Sequence, residues 1–113
     1  MPNRISRRAL ETRLASVNPP VLVEALGAGF YADAHLPGAL NIPPSKVDAL
    51  AADLLPDRGA EVVVYCTAAC TSGAAVAHRL EALGYTAVAI YTGGKEEWAE
   101  HGLPLDRTGG ADL

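Results

Sequence analysis

The sequence is poor in cysteine and has no long apolar run. Its 113 residues include two cysteines, Cys66 and Cys70, too few for the disulfide framework that holds small secreted proteins together. No apolar run approaches the ~20 residues that a membrane-spanning helix needs, and the basic N-terminal residues are not followed by the apolar segment of a signal peptide. We therefore expect a cytoplasmic protein with no membrane partner, whose thiols are kept reduced.

Positive charge is also scarce. The formal net charge is -4, and the basic cluster RISRR at residues 4–8 is predicted to decorate the first helix, which argues against a nucleic-acid partner. Half of the residues are hydrophobic and 19% are charged, as in an ordinary globular protein. We expect one domain over residues 1–113, with an ordered core from about 6 to 105 and a loose tail at 106–113.

Short apolar runs alternate with helical patterns along the chain. Predicted strands occupy residues 21–26, 61–66 and 86–91. Predicted helices run from Ser6 as N-cap to about Val17, from Ser45 as cap to about 55, over 72–83, and within 93–102. The Gly- and Pro-rich segment from 27 to Ser45 is predicted to be irregular. Strands that alternate with helices predict a small α/β domain with a parallel sheet covered on both faces.

The stretch VVVYCTAACTSG, residues 62–73, carries the candidate chemistry. Cys66 ends a predicted strand and a helix begins about six residues later, which is where open α/β sheets bind ligands. Small residues at 67–69 allow several backbone N–H groups to converge on an anion, and the helix from Ser72 adds its positive end. We expect the pKa of the Cys66 thiol to be lowered, although the same pattern also suits a buried small hydrophobe.

Four motifs in order resemble a rhodanese-homology domain, that is, a single-domain rhodanese-like sulfurtransferase. They are AHLPGALNIP, VVVYC, LEALGY and VAIYTGGKEEWAEHGLPL, and the resemblance extends from about Val21 to Leu105. It implies a five-stranded parallel sheet flanked by helices. It also implies a turn organised by Glu24, His35, Pro37 and Gly38.

The resemblance further implies that Cys66 takes sulfur from a small sulfane-sulfur donor, thiosulfate or a persulfide. Cys66 then carries it as a persulfide to a thiol or protein acceptor, with no cofactor and no metal. The loop implied to hold the persulfide anion consists of Thr67, Ala68, Ala69, Cys70, Thr71 and Ser72. Ser72 is also a candidate N-cap of the helix that follows.

The loop from Cys66 to Thr71 contains no arginine or lysine. Phosphatase relatives on this fold use a loop one residue longer that ends in an arginine, so the sequence argues against a phosphatase or an arsenate reductase. Many sulfur-transferring members carry a basic residue just after the nucleophile. One missing charged hydrogen bond weakens binding by about 1.5–3 kcal/mol, which predicts weak activity with thiosulfate unless Lys95 or Arg79 reaches the loop.

Cys70 leaves alternatives open. As a resolving thiol it would attack a Cys66 persulfide, expel sulfide and leave a disulfide; otherwise it is a small loop filler. The chain could accordingly be a catalytically poor sulfur-carrier or binding module, or a thiol redox sensor that uses both cysteines. His35 is expected to be structural rather than a general base, and two cysteines with one histidine are weak grounds for zinc.

Overall fold

The computed structural model describes residues 2–67 and 71–107. Its centre is a sheet of five parallel strands in the order β1-β5-β4-β2-β3. The strands are β1 (Asn3–Ile5), β2 (Val21–Glu24), β3 (Leu40–Asn41), β4 (Val62–Tyr65) and β5 (Val88–Tyr91). The five-stranded parallel α/β architecture implied by the resemblance is confirmed.

The helices cover both faces of the sheet. They are α1 (Arg7–Leu14), α2 (Ala28–Asp33), α3 (Val47–Leu54), α4 (Ser72–Ala82) and α5 (Gly94–Glu100), with a 3₁₀ helix at Pro44–Lys46. One apolar cluster joins α3 and α4 to one face of the sheet, and a second joins α1 and α5 to the other. No helix in the described part of the chain is long and apolar enough to cross a membrane.

The central strand β4 explains the continuous apolar run in the sequence. All four of its residues are buried, because side chains alternate between two covered faces. Val62 and Val64 pack on the α4 side, whereas Val63 and Tyr65 pack on the α1 side. Buried on both faces, this strand fixes the position of the residue that follows it, Cys66.

The strands β2 and β4 are neighbours in the sheet, but the helices that follow them lie on opposite faces. Tyr31 of α2 packs against the α1-side cluster, while Val76 and Leu80 of α4 pack against the other. The direction of the connections therefore reverses between β2 and β4, and the carboxyl ends of strands at such a point are the usual binding position in open α/β sheets.

Several local predictions were wrong. The segment predicted to be irregular contains α2 and β3, and β1 was not predicted; strands of two or three residues are too short to show a periodicity. Ser45 lies inside the 3₁₀ helix and does not cap α3. At the first helix, the Ser6 cap is confirmed, since Ser6 Oγ accepts a hydrogen bond from Ala9 N at 3.1 Å.

The two ends of the chain also differ from expectation. Helix α1 ends at Leu14, and Val17, to which the helix was predicted to extend, is 95% exposed. Asp106, predicted to start the loose tail, pairs with His35 through two backbone hydrogen bonds of 2.8 and 2.9 Å. This pairing gives the backbone groups of the buried His35 their partners. Residues 108–113 of that tail lie outside the described residues.

Candidate active site

Cys66 is the first residue after β4 and is 5% exposed. Two backbone hydrogen bonds hold it and its neighbour in place: Lys95 N donates to Cys66 O at 3.1 Å, and Ala25 N donates to Tyr65 O at 2.9 Å. The chain that follows β2 and the start of α5 thus fix the backbone on either side. The candidate nucleophile is therefore held at the end of the central strand.

The first turn of α4 lies directly against the Cys66 sulfur. A Cβ placed on Gly73 would stand 3.5 Å from Cys66 Sγ and 3.8 Å from the Tyr65 carbonyl carbon. Glycine at this position keeps the helix start close to the sulfur and leaves space beside it. The positive end of α4, a helix of 11 residues, therefore lies next to a sulfur that could carry negative charge.

The Cys66 sulfur is disulfide-bonded in the structure. The chain has one other cysteine, Cys70, which lies outside the described residues. Cys66 Sγ also lies 3.4 Å from the Thr67 carbonyl oxygen. Because a thiolate is the nucleophilic form of cysteine, the reduced protein is the form that could attack a sulfur donor.

The predicted anion-binding loop is only partly described. Thr67 and Thr71 line a cleft beside Cys66. Ala68 and Ala69, like Cys70, lie outside the described residues, so convergence of the loop amides stays a prediction. The prediction that Ser72 caps α4 was wrong: Ser72 is the first helical residue, and Thr71, at the N-cap position, makes no side-chain capping hydrogen bond.

The cleft beside Cys66 has a volume of about 200 Å³. Its lining comes from three neighbouring strands and from the start of α4. The described lining residues are Arg4, Cys66, Thr67, Thr71, Gly73, Ala74, Ile90, Tyr91 and Thr92. Arg4 is the one charged residue among them.

Sequence reasoning missed Arg4 and Thr92 as parts of this site. Arg4 was assigned to the first helix, but it lies on β1, which pairs with β5 from the far end of the chain. Pairing between residues so distant in sequence leaves no local signal. Thr92 directly follows β5, and the rule that parallel strands end at one edge could have indicated it.

The Lys95 side chain is bound away from the described lining of the cleft. Its ammonium group lies 3.1 Å from Glu24 Oε2, 3.0 Å from the Phe30 carbonyl oxygen and 2.6 Å from the Ala34 carbonyl oxygen. An ammonium group has three N–H donors, and these three acceptors use all of them. The Glu24 side chain is fully buried, so Lys95 neutralises a buried carboxylate.

Glu24 is connected to the H-x-P-G turn through Tyr65. Tyr65 OH donates to Glu24 Oε1 at 2.9 Å and accepts a hydrogen bond from Leu36 N at 2.9 Å. Burial raises the pKa of Tyr65, and the neighbouring Glu24 carboxylate raises it further. The phenol is therefore held as a neutral donor and joins the ends of β2 and β4 to the turn.

The turn itself follows from Pro37 and Gly38. Ala39 N donates to Leu36 O at 3.0 Å, and Gly38 has φ of +80°, which together are typical of a type II turn with proline then glycine at its centre. A side chain other than glycine would be strained at this φ.

His35 lies apart from the Cys66 cleft. It is 4% exposed, its Nδ1 lies 2.7 Å from the Tyr31 carbonyl oxygen, and its ring stacks on Tyr31 with centroids 3.9 Å apart. It is absent from the described cleft lining, so the geometry offers no support for a general base. Within the described ranges, no group of three or more His, Cys, Asp or Glu side chains could hold a metal ion.

Arg79 is also engaged elsewhere. Its Nε lies 2.7 Å from Asp48 Oδ1, and its second terminal nitrogen lies 2.7 Å from Asp48 Oδ2. This hydrogen-bonded pair lowers the pKa of Asp48 and raises that of Arg79. Neither Lys95 nor Arg79 lines the cleft among its described residues.

Comparisons with known proteins agree with this architecture. A model of the rhodanese-like domain matches residues 6–101. A sulfurtransferase from Allochromatium vinosum is 32% identical over 105 residues, which cover 93% of this chain and 95% of the relative. Sequence similarity therefore extends over almost the full length of both chains.

Solved structures give the same result. The human single-domain sulfurtransferase superposes with a TM-score of 0.76 at 28% identity, over 88% of this chain and 97% of that one. The thiosulfate sulfurtransferase from Pseudomonas aeruginosa superposes with a TM-score of 0.83 at 26% identity; the match covers 93% of this chain and 20% of that larger one. With a family model that matches most of its length and a sheet of the same topology, this chain belongs to the rhodanese-like domain family.

Proposed function

We propose that this protein is a sulfurtransferase that moves sulfane sulfur through a persulfide on Cys66. The observation that carries the proposal is the position of Cys66 in the fold. It directly follows the central strand β4 and opens into a cleft at the N-terminus of α4. Related chains of similar length are named sulfurtransferases, which supports this activity class.

The reaction has two displacement steps. In the first, the Cys66 thiolate attacks the sulfane sulfur of the donor, and a new S–S bond forms. The bond between that sulfur and the rest of the donor breaks, and the rest of the donor leaves with the electron pair. In the second, a thiol or protein acceptor attacks the outer sulfur and releases the Cys66 thiolate. Thiolate attack on a sulfur atom is ordinary thiol–disulfide exchange chemistry. No cofactor is needed for either step.

The persulfide intermediate carries a negative charge that the site must stabilise. The N-terminus of α4 is adjacent to Cys66 through Gly73, and its dipole favours an anion there. The backbone amides of residues 67–71 are expected to supply hydrogen bonds. The described side chains around the cleft contribute a single cation, Arg4.

We infer that a persulfide is a better donor than thiosulfate. Thiosulfate is a compact dianion, the loop sequence has no basic residue, and Lys95 and Arg79 are bound to Glu24 and Asp48. The absence of a charged hydrogen bond at the loop lowers thiosulfate binding by about one to two orders of magnitude. The proposed setting is the cytoplasm, where small thiols supply persulfides and accept sulfur.

Intact-protein mass spectrometry tests the proposal. The reduced protein is exposed to thiosulfate and, separately, to glutathione persulfide, and wild type is compared with Cys66→Ser and Cys70→Ser. We expect one added sulfur atom on wild type and on Cys70→Ser, with faster loading from the persulfide, and none on Cys66→Ser. Loading that survives in Cys66→Ser would refute the proposal. Loading without release to any thiol would indicate a sulfur-carrier or binding module.

A second candidate function is favoured by one observation. Cys66 is disulfide-bonded in the structure, which is the expected oxidised state of a thiol redox sensor that pairs Cys66 with Cys70. Mild peroxide should then remove two hydrogen atoms per chain, in a reaction that requires both cysteines. If Cys70→Ser is oxidised at the same rate and to the same product as wild type, the sensor function is excluded.

A further inference from the structure

The lining of the cleft beside Cys66 includes an arginine from the edge strand of the sheet. Arg4 lies on β1, the edge strand, and lines the cleft with Cys66. Its strand neighbour is Ile90, which in turn pairs with Val64. Since residues in register on parallel strands point to the same face, Arg4 lies on the face that also carries Cys66.

The register fixes the separation between Arg4 and Cys66. Two strand spacings of about 4.8 Å separate β1 from β4, and Cys66 lies two residues beyond the Val64 level, at about 3.3 Å per residue. The two Cα atoms are therefore roughly 12 Å apart. An arginine side chain can span part of that distance, which leaves room for a small molecule between its guanidinium group and the sulfur.

The Arg4 guanidinium group is available to a ligand. Two nearby arginines are engaged, since Arg7 pairs with Glu11 and Arg13 pairs with Glu61. Arg4 is exposed, and its guanidinium group makes no hydrogen bond or ion pair within residues 2–67 and 71–107. The described lining of the cleft includes no acidic residue that could neutralise it.

We propose that Arg4 binds the carboxylate of an organic persulfide donor and thereby sets the donor specificity of the Cys66 cleft; this rests on the proposed sulfur transfer at Cys66. A guanidinium group binds a carboxylate through paired hydrogen bonds. In such a donor the carboxylate lies several bonds from the transferred sulfur, which suits the Arg4–Cys66 separation. In thiosulfate the charged oxygens lie beside the transferred sulfur, and so remain close to Cys66 and far from Arg4.

The transfer step balances without any other reactant. The Cys66 thiolate attacks the terminal sulfur of R–S–SH, and a bond forms between Cys66 Sγ and that sulfur. The S–S bond of the donor breaks, R–S⁻ leaves with the electron pair, and the proton of the transferred sulfur then passes to the released R–S⁻ or to water, which leaves the persulfide on Cys66 as an anion. Arg4 holds R through its carboxylate, so it is a substrate-binding residue that takes no part in bond breaking.

A matched pair of donors tests the proposal. The persulfides of mercaptopropionate and mercaptopropanol have the same chain length, but only the first ends in a carboxylate. The rate of Cys66 persulfide formation on the reduced protein is measured against donor concentration by rapid quenching and intact mass. The proteins are wild type, Arg4→Gln, Arg4→Lys and a control, Arg8→Gln, whose exposed arginine lies on α1 and is not among the described lining residues.

With Arg4→Gln, we expect the half-saturating concentration of the carboxylate donor to rise about tenfold, with little change in the maximal rate. The hydroxyl donor should be loaded as in wild type. Arg4→Lys should recover part of the loss, since lysine keeps the charge but lacks the fork of donors. Arg8→Gln should match wild type with both donors.

The outcomes separate this inference from the proposed function. Equal effects of Arg4→Gln on both donors, or no effect on either, would overturn the role of Arg4 while leaving Cys66 chemistry intact. Thiosulfate is measured as a third donor, and if Arg4→Gln raises the half-saturating concentration of thiosulfate alone, the proposed donor class is overturned. If wild type gains no sulfur from any donor, the proposed function itself fails. Thermal melting of each variant checks that the exposed substitution leaves the fold unchanged.

Discussion

Replacement of Lys95 by methionine tests how much the buried ion pair stabilises the fold, separately from any effect on sulfur transfer. The Lys95 ammonium group lies 3.1 Å from Glu24 Oε2 and donates to the carbonyl oxygens of Phe30 and Ala34. In Lys95→Met these three acceptors lose their donor. The Glu24 carboxylate, which is fully buried, keeps only the Tyr65 hydroxyl as a hydrogen-bond partner among the described side chains.

The magnitude follows from burial. Breaking a buried ion pair by removing one partner typically destabilises a protein by 3–5 kcal/mol, because the remaining charge is uncompensated. The Lys95 side chain is 13% exposed, so water can partly replace it, and we expect the lower end of that range. The free energy of unfolding should fall by about 3 kcal/mol.

Urea unfolding at neutral pH measures the loss, and two further variants control it. Lys46→Met replaces an exposed lysine and should change stability by at most about 0.5 kcal/mol. The double variant Glu24→Gln with Lys95→Met removes both charges together and should be more stable than the sum of the single changes predicts.

Two results would refute this reasoning. A loss below about 1 kcal/mol, the range of exposed ion pairs, would mean that the pair does not act as a buried one. The second result is the half-saturating donor concentration for sulfur loading, measured on folded Lys95→Met well below its melting temperature. An unchanged half-saturating donor concentration is expected there; an increase would mean that Lys95 reaches the donor after all.

Three further predictions follow from the packing. Gly73→Val adds carbon atoms beside Cys66 Sγ, where even a Cβ stands at 3.5 Å, so sulfur loading in the mass assay should fall roughly tenfold, whereas Gly73→Ala should load normally. Burial raises the pKa of Tyr65 and of Tyr91 from 10.0; the stability that their neutral forms contribute is present below pH 10.0 and is lost as pH rises above it. Urea unfolding midpoints measured across alkaline pH test this loss of stability, and Tyr65→Phe should reduce the slope of stability against pH. Leu80→Ala, at a fully buried site, should destabilise the fold by about 2–5 kcal/mol in the same urea assay, and a smaller loss would mean that the α4 face is loosely packed.

The sequence predicted the parts of the fold that local patterns control. The apolar run at Val62–Tyr65 indicated a strand covered on both faces. Ser6 indicated the start of α1. Because capping and strand burial act over a few residues, they leave a signal in a single sequence. The edge strands β1 and β3 were missed, since two or three residues carry too little pattern.

The sequence alone also indicated Cys66 as the candidate nucleophile, since a cysteine between a buried strand and a helix start can be recognised locally. Which charged side chains face it was decided by the tertiary structure. Lys95 and Arg79, the cations suggested from the sequence, are paired with Glu24 and Asp48, and Arg4 lines the cleft instead. The physical reason is that a buried carboxylate must be neutralised, and its partner is set by packing between distant segments. Parallel strand pairing likewise brings Arg4 beside β5 from the opposite end of the chain.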